Sequence, residues 1–68
     1  MYQIIFKGRK ADKLMSALAM CGVVYTNSDG VVSFNLRDVV LLDKLLSLGK
    51  MLGDCRVYRN GMEIAGLR

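Results

Sequence analysis

Short runs rich in β-branched and aromatic residues alternate with two stretches in which apolar residues recur every three or four positions. Tyr2-Gln3-Ile4-Ile5-Phe6-Lys7, closed by Gly8, predicts a first strand. Ala11, Leu14, Met15, Leu18 and Gly22 then follow helical spacing. They predict a helix over about Lys10 to Cys21, with Gly22 in the left-handed position that ends it. Val23 to Thr26 reads as a second strand. Asn27-Ser28-Asp29-Gly30 is turn chemistry between valine-rich runs, so a hairpin leads into a third strand, Val31 to Phe34. Asn35 is the expected N-cap of a second helix from Leu36 to Leu52, with Asp38 near its first turn and Gly53 as its stop. Val39, Leu41, Leu42, Leu45, Leu46, Leu48 and Leu52 spread over a broad arc of that helix, which suits a core-covering element. Cys55 to Arg59 is a fourth strand. Asn60-Gly61 is a type I′ turn signal, and Met62 to Ala65 completes the hairpin as a fifth strand.

The pattern repeats. Asp12 to Gly22 aligns without gaps onto Asp43 to Gly53, and six of the eleven positions are identical. Each copy lies between two strand-like runs, so the chain reads as two β-α-β units followed by an extra strand. Two right-handed crossovers joined by a hairpin imply an α+β, ferredoxin-like split β-α-β sandwich. The expected sheet is antiparallel, in the order 5-4-1-3-2, with both helices on one face and an internal two-fold repeat. Residues 1–68 form a single domain in this reading, with Leu14, Leu18, Leu42, Leu45 and Leu46 in the core. The repeat places Asp12/Asp43, Lys13/Lys44 and Ser16/Ser47 on outer helix positions, and Met20/Met51 on the polar sides.

Composition narrows the class. An apolar fraction of 53% in 68 residues fits one modest packed core. A core this small has little stability to spare, which makes a homodimer the expected state. No charged-then-apolar leader is visible, and apolar runs such as Val39 to Leu42 or Ala17 to Cys21 are far short of a membrane span. A cytoplasmic protein without a membrane partner is the expectation. Cys21 and Cys55 form no CxxC pair and read as small buried apolar residues. With no histidine in the chain, no metal or other cofactor is expected.

Catalysis finds little material. Without histidine there is no ordinary Ser-His or Cys-His nucleophile. Asp12, Asp29, Asp38, Asp43, Asp54 and Glu63 fall at helix starts, turns and outer faces. Gly8-Arg9-Lys10 could hold an anion against the start of the first helix. Acylphosphatases share the expected fold and use a related loop with an arginine. The loop here is much shorter and their catalytic asparagine is not evident, so no enzyme is expected.

The sheet face away from the helices is the expected working surface. Alternation assigns to it Gln3/Ile5/Lys7, Val23/Tyr25, Val31/Ser33 and Arg56/Tyr58, with Arg59 beside them. The leading expectation is a small non-enzymatic regulatory or accessory protein that binds a protein partner through this face or through an edge strand. The alternative is a nucleic-acid-binding module, for which a net charge of +4, Lys7, Arg9, Lys10, Arg56 and Arg59, and stacking on Tyr25 and Tyr58 are the material. Ile5-Phe6-Lys7-Gly8 resembles the first-strand motif of RNA-recognition modules, which also use this fold. Their third strand carries a basic-Gly-aromatic octamer. Val31-Val32-Ser33-Phe34 has one aromatic and no glycine, so the resemblance assigns no family.

Overall fold

The computed structural model describes residues 1–64. Its elements run β1 (Tyr2–Lys7), α1 (Ala11–Met20), β2 (Tyr25–Ser28), β3 (Val31–Leu36), α2 (Val39–Leu52), β4 (Asp54–Arg59) and β5 (Met62–Ile64). All pairings are antiparallel, and the strand order is β2-β3-β1-β4-β5. This is the ferredoxin-like split β-α-β-β-α-β fold with an added edge strand. Ala65, expected in the fifth strand, lies outside the described residues.

Period-two alternation decides which side the helices cover. Ile4 and Phe6 on β1, Val32 and Phe34 on β3, and Cys55 and Val57 on β4 are all buried. They meet Leu14 and Leu18 of α1 and Leu42, Leu45 and Leu46 of α2 in one cluster. Both hairpins turn on two residues with positive φ. Asp29 and Gly30 have φ of 52° and 80°, and Asn60 and Gly61 have 53° and 79°. These are type I′ turns, whose twist matches that of the flanking strands.

Helix ends explain three departures from the expected boundaries. At the end of α1, Gly22 N–H donates to Ala19 C=O (3.1 Å) and Val23 N–H to Leu18 C=O (2.9 Å). That is a Schellman closure, and it holds Val23 buried under the helix. The second strand therefore starts at Tyr25, not at Val23, and Asn27 and Ser28 belong to it instead of to the turn. Nor is Asn35 the cap of the second helix. It stays in β3 opposite Gln3. The cap is Asp38, whose Oδ1 accepts from Val40 N–H (3.0 Å) and Leu41 N–H (3.2 Å). Gly53 ends α2 as expected, in an extended conformation with φ 177°.

The repeat is visible in three dimensions, with one break. Leu14 and Leu45 are both buried, as are Leu18 and its counterpart Gly49. At Gly49 a Cβ would fall 2.7 Å from Cys55 Sγ, so α2 approaches β4 over a bare backbone. Where the first unit has Leu18, the second has Gly49, and the Cys55 thiol packs against its bare backbone.

Candidate functional site

On the open face, β1 contributes Gln3, Ile5 and Lys7, β3 contributes Val31 and Ser33, and β4 contributes Asp54, Arg56 and Tyr58. Glu63 joins them from β5, opposite Tyr58. Ile5 and Tyr58 are half-buried. With Lys7, Asp54 and Arg56 they line a shallow cleft of ≈ 460 Å³. Arg56 is paired within the face. Arg56 Nε lies 3.5 Å from Asp54 Oδ2, and Arg56 Nη1 donates to Glu63 Oε1 at 3.3 Å. The hydrogen bond to Glu63, followed by the Asp54 charge, holds the guanidinium above its ordinary pKa. Lys7 sits opposite Asp54 in the ladder. Two cations and two carboxylates thus balance around an apolar floor, and no continuous positive belt crosses the sheet.

Three of the expected open-face residues are elsewhere. Val23 is buried under α1. Tyr25 pairs with Phe34, so its ring points to the helix side, where it packs half-buried against the core. The four residues between α1 and β2 differ from the single glycine between α2 and β4, and this shifts the side-chain parity between the two repeat units. Arg59 also belongs to the helix side. Its guanidinium carbon lies 5.9 Å from the centre of the Tyr2 ring, a cation–π contact at the rim. Arg9 and Lys10 are exposed at the start of α1, and Lys10 occupies the N-cap position without a side-chain cap. They share an end of the molecule with Lys7, away from Tyr58.

The opposite end gathers exposed hydrophobic side chains, with Arg37, Asp38 and Arg59 beside them. Seven large hydrophobic residues among the described ones are exposed: Met1, Met20, Val24, Val39, Val40, Met51 and Met62. Chain direction and register put all but Met51 at the end where β1, β2, β5 and α2 begin and where β3, β4 and α1 finish. Met20 is 89% exposed, Val24 88% and Val40 69%. A groove of ≈ 570 Å³ runs between Met1, Val24, Leu36 and Leu41, with Val23 and Cys21 at its wall. Cys21, expected to be buried, is an exposed thiol there, while Cys55 is buried as expected. The exposure of Met20 and Met51 follows the helical wheel. Val24 and Val40 were missed, although one signal was available. In an extended doublet such as Val23-Val24, consecutive side chains point to opposite faces, so only one of the two can face the core.

Among the described residues, no group of three or more His, Cys, Asp or Glu side chains is placed to hold a metal ion. No described helix is long and apolar enough to cross a membrane. No protein-family model, curated protein or solved structure matches the chain.

Proposed function

We propose that this is a small non-enzymatic protein that works by binding another protein, and that its contact surface is the apolar end of the sheet. The observation that carries this reading is the segregation of exposed hydrophobic side chains. Met1, Met20, Val24 and Val40 crowd the end with the groove, where Arg37 and Arg59 are exposed as well, whereas Lys7, Arg9 and Lys10 occupy the other. Exposed apolar residues scattered singly need no explanation, but a cluster beside a groove is characteristic of a protein contact. The segment that fits is apolar, with room in the groove for a few side chains. The open face serves this purpose less well, because its ion pairs already satisfy one another and a partner would have to break or desolvate them. The same pairing leaves little free charge beside Tyr58 for a phosphate backbone, and Tyr25 offers that face no ring at all.

Affinity capture with the intact chain, read by the amount of stoichiometric partner retained, tests the reading. Val40→Asp and Met20→Asp should each lower retention at least tenfold without shifting the unfolding midpoint. Tyr58→Ala should leave retention unchanged. Loss with Tyr58→Ala alone would move the contact to the open face. Retention of oligonucleotides at low salt, with no protein retained, would replace the reading by nucleic-acid binding.

A further inference from the structure

The two edges of the sheet are guarded very differently. β5 is three residues long and carries Glu63, tied to Arg56. β2 is Tyr25-Thr26-Asn27-Ser28, with no charge, no proline and no bulge in its pairing with β3. Natural sheets protect their edges with charge, proline, bulges or a covering element. β2 has none of these among the described residues, and the chain just before it presents Val24 almost fully to solvent.

The hydrogen-bonding pattern of this edge is self-complementary. Ser28 and Val31 flank a two-residue turn, so they exchange both backbone hydrogen bonds. Alternation then turns Thr26 toward β3 as well, and leaves the N–H and C=O of Tyr25 and Asn27 pointing outward. We infer that β2 pairs antiparallel with β2 of a second copy, about a two-fold axis at Thr26. In that register Tyr25 of each copy exchanges both bonds with Asn27 of the other, so every outward group of the strand is used. Thr26 faces its own counterpart, and Val24 lies opposite Ser28 of the second copy. Because β2 is uncharged, the two-fold places no like charges opposite one another. Directly opposed residues share a face, so both copies keep their helices on the same side of a ten-stranded sheet, and the two apolar ends point in opposite directions. This inference needs neither Met20 nor Val40, and it meets the proposed partner surface only at Val24.

Thiol crosslinking tests the register. In a Cys21→Ser background, Thr26→Cys should form an intermolecular disulfide almost completely on mild oxidation. A non-hydrogen-bonded antiparallel pair holds its Cα atoms about 4.5 Å apart, inside the roughly 4.4–6.8 Å span of a disulfide. Ser28→Cys alone should not link, but it should link when mixed with Val24→Cys. Sedimentation of the unmodified chain should give twice the monomer mass of 7.6 kDa. Asn27→Pro removes an outward N–H that β3 does not use, so the fold should survive while the mass falls to that of the monomer. A monomer at millimolar concentration, or a dimer unaffected by Asn27→Pro, would overturn the inference. Monomeric protein that loses a foreign partner on Asn27→Pro would assign the edge to that partner's strand instead.

Discussion

Cys55 shows how one side chain can be set by a gap in another element. Gly49 leaves room for its thiol against α2, and the resulting burial pushes its pKa from 9.0 up to about 11. Lys50 opposes that shift without cancelling it. A thiol whose folded pKa is raised stays protonated in the native state while the unfolded chain ionises. The native state therefore binds more protons between these values, and its stability falls as pH rises from about 9 toward 11. Chemical denaturation across pH 8 to 11 should show this decline in wild type and a smaller one in Cys55→Ala. Thiol-reactive dye at pH 8 should modify exposed Cys21 rapidly and leave Cys55 protected. Equal labelling of both would mean that α2 does not close over β4 as described.

At the scale of the element, helix and strand ends are settled by competition for backbone groups. Asn35 has good capping chemistry, but the β3 ladder with β1 continues through Leu36 and keeps it extended. Asp38, beyond the end of the ladder, is free to cap, and it takes two amides of the first turn of α2. Asp38→Ala should therefore destabilise the protein by about 0.5–2 kcal/mol, measured by urea denaturation. Asn35→Ala should change stability much less, because its side chain is exposed. A larger loss from Asn35→Ala would return the cap to the position that the sequence pattern suggests. The same competition moves β2. The closure of α1 at Val23 delays the strand, which turns Tyr25 inward and leaves Val24 outside.

The whole molecule is asymmetric in surface chemistry, though built from a near-repeat. One end gathers most of the exposed hydrophobic side chains, beside Arg37 and Arg59, the other carries Lys7, Arg9 and Lys10, and one sheet edge is unguarded. The proposed partner contact and the proposed self-pairing meet at Val24 and otherwise use different residues. Val40→Asp should therefore leave Thr26→Cys crosslinking intact, and Asn27→Pro should leave the apolar end competent to hold a partner. Crosslinking efficiency and partner retention, measured on the same single and double variants, should behave additively, as expected for separate sites. Strong coupling would place both activities on one surface. A dimer of this design would carry two partner sites facing opposite ways, so that an array of partners is bound more tightly than a single one.

The order of elements, the type I′ turn at Asn60-Gly61, the leucines of the core and the covered side of β1 were all legible in the sequence. Each depends on residues only a few positions apart, through helical spacing, strand alternation or turn chemistry. So was the sheet order, because right-handed crossovers and a hairpin leave few alternatives. The open face was legible for Ile5, Lys7, Arg56 and Tyr58, but not for Val23, Tyr25 or Arg59. Their sides depend on where a strand begins and which residue it meets across the ladder, and a shift of one residue reverses every side chain. The pairing of Arg56 with both Asp54 and Glu63 and the gathering of Met1, Val24 and Val40 at one end also required the tertiary structure. Those residues lie far apart in the chain or on different strands. Only the closed sheet, with its register and its direction of helix travel, brings them together.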